Sequence, residues 1–148
     1  MSAPFRYYLR VRYQECDQQH VVFNARYSDY ADLACLEFLR AALPRPQDAF
    51  DGTFEIQTVR QVVEWKAPAR FDDVVEISMR VSRLGTTSVT LAAEMRKAGT
   101  PDILATVETV YVQVNAKTFR KREISAEMRA ALETGAAGKV TDHAGYVR

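Results

Sequence analysis

The stretch ARYSDYADLACLEFLRAAL, from Ala25 to Leu43, predicts the element around which the rest of the chain folds. Its aromatic and small apolar residues recur at helical spacing and form one face, which consists of Tyr27, Tyr30, Ala31, Ala34, Phe38 and Ala41. Further apolar character comes from Leu33, Leu36, Leu39 and Leu43. We therefore expect a core helix that is covered on more than one side and ends before Pro44.

Strand patterns precede and follow this helix. Residues from Phe5 to Tyr13 alternate between apolar and polar, as in a half-buried strand. Four further strands are predicted at roughly 53–66, 74–84, 88–97 and 103–114 in hairpin succession, and the middle pair turns around Gly85. A change of parity between Ile56 and Val59 indicates a bulge. The β-branched content of the last strand indicates burial on both faces or a central place in the sheet.

The end of the chain has a different character. Ser125 is predicted to cap a short helix, SAEMRAALE, that Gly135 stops. The remaining residues lack periodicity, so we expect one domain over 1–134 and a flexible tail over 135–148. An antiparallel sheet must bury its apolar face, and the only long helix is the one described above. The prediction is an α+β fold, with a five-stranded, mainly antiparallel sheet wrapped around a central helix.

Composition excludes several classes of partner. The chain has 148 residues, of which 47% are apolar and 26% charged, and its net charge is +1. No global electrostatic field favours nucleic acid, and no apolar run suffices for membrane insertion. The N-terminus does not resemble a signal peptide, so we expect a cytoplasmic protein. The two cysteines, Cys16 and Cys35, are accordingly expected to be reduced thiols.

The segment ECDQQHVVFNARY, Glu15 to Tyr27, joins the first strand to the helix and allows three interpretations: a catalytic turn, a metal site, or a capped connection. Cys16, Asp17 and His20 lack a further ligand at zinc spacing, so the metal interpretation is disfavoured. Cys16 also points away from Asp17 on a strand, which disfavours a Cys–His nucleophile. If strand geometry persists, Tyr13, Glu15 and Asp17 share a face near the first free N–H groups of the helix, at Asn24.

The same segment resembles the 4-hydroxybenzoyl-CoA thioesterase branch of the hotdog-fold acyl-CoA thioesterases. That family's turn reads as an acidic residue, any residue, Asp, three residues usually ending in Gly, and an apolar pair, which here is Glu15 to Val22. The likeness continues through FNARYSDYADLACLEFLRA, EWKAPARFDDVVEI and SRLGTTS, and covers about Val11 to Val114. The resemblance implies thioester hydrolysis without a metal or redox cofactor, with a CoA thioester as the substrate.

Site residues follow from the resemblance position by position. It implies that Asp17 is the nucleophile or general base and that the backbone N–H of Asn24 polarises the thioester carbonyl, while the Asn24 side chain is predicted to cap the helix. Tyr13 aligns with a tyrosine near the site, although an inward tyrosine on a strand is usually a core residue. His20 stands where the family has glycine, so the turn is expected to be strained or reshaped, and His20 either contacts the thioester or fills the turn.

Substrate contacts are assigned in the same way. The candidates are His20, Val22, Phe23, Trp65, Arg83, Thr87 and Ser88. Residues 83–88 look like the family's pantetheine-contacting edge, and Arg70 or Arg83 could pair with CoA phosphates. Trp65 and Phe71 have a simpler interpretation as core residues. Glu37 and Asp32 are reserve carboxylates, because another hotdog lineage places its catalytic carboxylate on the central helix.

The resemblance also implies a homodimer or homotetramer whose sheets join edge to edge, with the site at the subunit interface. The substrate is expected to be an acyl-CoA or acyl-carrier thioester. The alternative is a non-catalytic acyl-thioester binding module, because His20 and Asn24 depart from common family residues. A dehydratase is a third option, but its Asp and His pair is absent from the expected place.

Overall fold

Over the described residues, the sheet has six strands in the order β2-β5-β4-β3-β1-β6. The computed structural model describes residues 3–147. Its strands are β1 (Phe5–Arg10), β2 (Glu55–Trp65), β3 (Val74–Leu84), β4 (Ser88–Lys97), β5 (Ile103–Val114) and β6 (Val140–Asp142), and its helices are α1 (Arg26–Ala42) and α2 (Ala126–Thr134). All neighbouring strands are antiparallel except β1 and β6, which are parallel.

The core lies between α1 and one face of the sheet. The buried residues of α1 are Tyr27, Tyr30, Ala31, Ala34, Cys35, Phe38 and Leu39. They meet inward residues of the central strands, of which Ile77 and Met95 are fully buried. Phe38 packs edge-on against Phe5 of β1, with ring centroids 5.7 Å apart. The predicted core helix and its inward face are therefore confirmed.

Most of the predicted elements are present within a residue or two. β3 and β4 form the predicted hairpin, and the β2–β5 register shifts between Thr58 and Arg60, where the bulge was expected. β5 has neighbours on both sides. β2 pairs with β5 and not with β3, so the predicted hairpin succession is wrong for β2, because the partner of a strand depends on contacts distant in sequence. Ser125 accepts a hydrogen bond from the Met128 N–H at the start of α2, and Gly135 ends this helix with φ 63°. Local signals predicted these elements because each depends on residues close in sequence.

The predicted count of five strands is wrong, because the segment expected to be a flexible tail contains β6. This strand pairs with β1. The hydroxyl of Tyr7 is hydrogen-bonded to Nδ1 of His143 at 3.0 Å, and the ring of Tyr146 stacks on Tyr8 at 5.3 Å. A strand of three residues carries no readable periodicity, so only its pairing with β1 reveals it. Met1, Ser2 and Arg148, at the ends of the predicted domain and tail, lie outside the described residues.

The first strand also ends earlier than predicted. It stops at Arg10, and Tyr13–Glu15 form a 3₁₀ turn in which the Glu15 carboxylate accepts the Arg12 N–H at 2.8 Å. This turn breaks the alternation, so Tyr13, Glu15 and Asp17 do not share a strand face. Tyr13 is 78% exposed whereas Glu15 is 6% exposed. Tyr13 is therefore not a core residue.

Two surfaces of this fold remain open in the single chain. Leu33 and Leu36 on α1 are 42% and 37% exposed, so the second side of the helix is uncovered. β2 lies at an edge of the sheet and is exposed over most of its length. Trp65 and Phe71, predicted as core residues in their simpler interpretation, are 55% and 56% exposed. Among residues 3–147, no helix is long and apolar enough to cross a membrane.

Candidate active site

A tight turn carries Asp17 from β1 toward α1. The Asp17 N–H donates to the Val21 carbonyl, and the His20 N–H donates to the Asp17 carbonyl, each at 2.9 Å. Cys16 and Val22 form an antiparallel bridge that closes the turn at its base. The Val22 N–H then donates to the Ala69 carbonyl at 2.8 Å, which ties the turn to the segment before β3. These bonds fix the main chain at Asp17.

His20 adopts a left-handed backbone conformation, with φ 65°. Such a conformation costs a residue with a Cβ roughly 1–2 kcal/mol, whereas glycine adopts it freely. The strain expected from replacing the family's glycine is therefore present. The His20 side chain is exposed and does not line the cavity beside Asp17.

Replacing His20 with glycine is expected to raise the free energy of unfolding by about 0.5–1 kcal/mol, because relief of the strained φ exceeds the added flexibility of glycine. Urea denaturation measures this change. Gln18→Gly is the matched control in the same turn, where φ is not positive. It is expected to lower the free energy by about 0.5–1 kcal/mol. Equal losses in the two variants would contradict the strain at His20.

One oxygen of the Asp17 carboxylate is hydrogen-bonded, and the other is open, with no hydrogen-bond donor among the described residues. Its Oδ1 accepts the Gln19 N–H at 2.8 Å, an arrangement common for aspartate in turns. Among the described residues, no donor contacts Oδ2. Asp17 lines a cavity of about 360 Å³ together with Val22, Asn24 and Trp65. The open oxygen is therefore available to a ligand or a water molecule in that cavity.

The residues just before α1 also line this cavity, through Asn24. The N-cap residue is Ala25, which provides no side-chain cap, so the prediction that the Asn24 side chain caps the helix is wrong. Within residues 3–147, no acceptor contacts the N–H of Asn24 or of Ala25, whereas the Phe23 and Arg26 N–H groups on either side are both bonded. The indole N–H of Trp65 donates to the Asn24 carbonyl at 3.1 Å. An unpaired N–H at a helix start is suited to binding negative charge.

Only some of the predicted site residues meet in one chain. Asp17, Val22, Asn24 and Trp65 line the cavity, while Tyr13, His20 and Phe23 do not. Arg83, Thr87 and Ser88 lie around the β3–β4 turn, at the other end of the sheet. β3 has 11 residues, so this turn is roughly 35 Å away along the strand at ~3.3 Å per residue.

Sequence reasoning did not assign roles to several residues near this turn. Tyr27 lines the cavity, and its hydroxyl accepts the Ala69 N–H at 3.2 Å. Glu15 is bonded to Tyr30 and Arg12. Burial raises the pKa of Glu15, but the hydrogen bonds from Arg12 and Tyr30 outweigh burial, so the net pKa is lowered. The family motif begins with an acidic residue, and this was the available signal for Glu15.

Comparison with known proteins places this geometry in a family. The family model described as the thioesterase-like superfamily matches residues 11–132. The chain belongs to the thioesterase-like superfamily. This membership confirms the predicted relationship and places the protein among thioester hydrolases.

Known proteins resemble this superfamily member in both sequence and structure. The acyl-CoA thioester hydrolase YbgC of Escherichia coli is 28% identical over 120 residues, which are 81% of this chain and 89% of the relative. The structure of a gentisyl-coenzyme A thioesterase has a TM-score of 0.75 at 27% identity, and covers 85% of this chain and 98% of that chain. A protein of Thermus thermophilus has a TM-score of 0.76 at 29% identity, with coverages of 91% and 99%. These similarities confirm the predicted hotdog fold.

The other candidate catalytic residues, Cys16, Glu37 and Asp32, are less suited to catalysis than Asp17. The Cys16 thiol lies 3.8 Å from the Arg12 carbonyl, and burial together with the charges of Glu15 and Asp17 raises its pKa. A raised pKa disfavours the thiolate that a nucleophile requires. Glu37 is bonded to Arg40 at 3.2 Å, and Asp32 lies outside the Asp17 cavity. In the part of the chain that the structure describes, no group of His, Cys, Asp and Glu side chains could hold a metal ion.

Proposed function

We propose that this protein hydrolyses acyl-CoA thioesters in the cavity between Asp17 and the start of α1. One observation carries the proposal: Asp17, whose Oδ2 is open, and Asn24, whose N–H is unpaired among the described residues, line the same cavity. A carboxylate and an oxyanion donor are the groups that thioester hydrolysis requires. The activities named for the Escherichia coli relative and the gentisyl-coenzyme A thioesterase support an acyl-CoA as the substrate.

Each group has a defined task in this reaction. The Asp17 carboxylate attacks the thioester carbonyl or removes a proton from the attacking water, and both routes use its open oxygen. The carbonyl oxygen gains negative charge as the new bond forms, and the Asn24 N–H donates to it. The hydrogen bond from Trp65 to the Asn24 carbonyl orients the adjoining peptide. The CoA thiolate then leaves. If water attacked, the acyl group is released directly as a carboxylic acid. If Asp17 attacked, water next hydrolyses the Asp17–acyl anhydride, which releases the same acid and restores the carboxylate.

The direct test is hydrolysis of a panel of acyl-CoAs that vary in chain length and include aromatic acyl groups. Loss of thioester absorbance measures the rate, and isothermal titration calorimetry with the same compounds measures binding. Turnover of at least one class supports hydrolysis and identifies the acyl group. Saturable binding without turnover across the panel would instead favour the non-catalytic binding module.

We further propose that the active unit is a homodimer joined through β2. This edge strand has 11 residues, and Val59 and Val62 on it are 59% and 38% exposed. A long exposed edge with apolar side chains is available for pairing with another chain. Antiparallel pairing of two β2 strands about a two-fold axis places the Glu55 end of one strand beside the Trp65 end of its partner.

This arrangement supplies the substrate contacts that one chain lacks. Ser88 is opposite Val112, and Gln57 near the start of β2 is opposite the same residue, so the β3–β4 turn lies at the Glu55 end of the sheet. In the dimer that end adjoins the partner's Trp65 end, where the Asp17 cavity lies. Arg83, Thr87 and Ser88 of one subunit are then available to a ligand bound at the other subunit's Asp17.

Mixing two impaired variants is expected to restore activity if the site is shared. Asp17→Asn lacks the carboxylate and Arg83→Glu reverses a charge at the β3–β4 turn, so neither homodimer has an intact site. After subunit exchange, about one quarter of the parent activity is expected, because half of the dimers are mixed and each contains one intact site. Activity is measured at low substrate concentration, and the mass by sedimentation equilibrium. A monomeric parent, or a mixture no more active than the average of its components, contradicts the shared site.

A further inference from the structure

The carboxylate of Glu15 is buried between the 3₁₀ turn and α1, with all of its donors in place. Its Oε1 accepts the Arg12 N–H at 2.8 Å and the Tyr30 hydroxyl at 2.9 Å. Its Oε2 accepts Nε and Nη2 of Arg12 at 3.1 and 3.0 Å. A buried carboxylate bonded to a guanidinium and a hydroxyl is strongly oriented. Glu15 therefore has one position relative to α1.

The main chain of Glu15 connects this anchor to both walls of the cavity. Its carbonyl accepts the Phe23 N–H at 2.9 Å, and Phe23 is the residue before Asn24. Along the chain, only Cys16 separates Glu15 from Asp17. The same residue thus holds the base of the Asp17 turn and the peptide next to the Asn24 N–H. Tyr30, one turn into α1, fixes both to the helix.

We infer that Glu15 is a positioning residue, which sets the separation between the Asp17 carboxylate and the Asn24 N–H through its bonds to Tyr30 and Phe23. This role rests on the proposed hydrolysis at Asp17. Glu15 is not itself a catalytic residue, because it does not line the Asp17 cavity and both of its carboxylate oxygens already accept hydrogen bonds from Arg12 or Tyr30. Small displacements of reacting groups cost large factors in rate, so loss of this anchor acts on kcat.

Glu15→Gln and Tyr30→Phe test this inference by removing parts of the anchor. Glutamine directs amide hydrogens at the Arg12 guanidinium, and phenylalanine removes only the Tyr30 hydroxyl. Each variant is expected to lower kcat by about 10- to 100-fold while KM stays within about threefold of the parent value. The residues that line the cavity are unchanged, but the separation between the Asp17 carboxylate and the Asn24 N–H is altered. The double variant is expected to have the kcat of Glu15→Gln within about twofold, because both changes disrupt one network.

Asp48→Asn is a matched control. Asp48 is fully buried and has the same capping pattern, with Arg45 N–H and Nε donating to it at 3.1 Å, in the other 3₁₀ turn, Pro46–Ala49. We expect Asp48→Asn to lower the melting temperature by an amount similar to Glu15→Gln while kcat stays within about twofold of the parent, since this turn does not reach the cavity. If Glu15→Gln and Tyr30→Phe lower kcat no more than Asp48→Asn, the positioning role is wrong. A parent protein that hydrolyses no acyl-CoA overturns the proposed function and this role together.

Discussion

Asp17→Asn is expected to lower kcat for acyl-CoA hydrolysis by about 10²–10⁴-fold, the contribution typical of a positioned acid or base. Asparagine has nearly the same shape and can still accept the Gln19 N–H through Oδ1. It cannot attack a carbonyl or accept a proton from water under these conditions. Stopped-flow or steady-state thioester hydrolysis measures kcat, and thermal unfolding is expected to be unchanged. The variant therefore separates chemistry from folding.

A control for this variant is available in another turn of the same kind. The Asp51 carboxylate accepts the Thr53 N–H at 2.9 Å, as Asp17 accepts the Gln19 N–H, but Asp51 lies outside the Asp17 cavity. Asp51→Asn is expected to leave kcat at the parent value. Hydrolysis by Asp17→Asn at a rate comparable with that of Asp51→Asn would show that Asp17 is not the catalytic carboxylate. Glu37 and Asp32 would then be the remaining candidates for the catalytic carboxylate.

Phe38→Ala is expected to lower the free energy of unfolding by about 3–5 kcal/mol, the range for truncation of a buried phenylalanine. Phe38 is fully buried on the inward face of α1 and contacts Phe5 edge-on. Its removal leaves a cavity between the helix and the sheet and deletes this aromatic pair. Guanidinium denaturation at one fixed protein concentration measures the change, because self-association affects apparent stability.

Phe50→Ala is the matched control, because it makes the same truncation at an exposed position. Phe50 is 56% exposed, and its main specific contact is with the Arg40 guanidinium, 4.9 Å from the ring centroid. The expected loss is about 0.5–1 kcal/mol, the worth of an exposed cation–π pair. A loss in Phe38→Ala as small as that in Phe50→Ala would show that α1 does not supply the core as described.

Residue patterns predicted the main elements because their periods are local. The α1 face repeats at helical spacing over four turns, and β3 and β4 alternate from Val75 to Val81 and from Val89 to Met95, so their bounds matched the structure closely. β6 was missed because three residues carry no period. The early end of β1 was missed because a 3₁₀ turn is stabilised by contacts of Glu15 with Arg12 and Tyr30, and the Tyr30 contact spans 15 residues.

The candidate site was predictable in part for a similar reason. Asp17 and Asn24 occupy positions of a family motif, and the strain at His20 followed from its place in that motif. The roles of Asp17 and Asn24 in catalysis stay predictions. Arg83, Thr87 and Ser88 were grouped with them by resemblance, yet one chain separates them by the length of β3. A motif records which residues recur but not how far apart the fold places them.

The sequence by itself determined the helix, the positions of the main strands along the chain, and the turn between β1 and α1, because hydrophobic periodicity and turn chemistry act over a few residues. Only the tertiary structure decided that β6 completes the sheet, that Trp65 is bonded to the Asn24 carbonyl, and that buried Glu15 joins the turn to Tyr30. Each of these contacts joins residues distant in sequence, and burial of Glu15 is stable only when folding brings all its donors together.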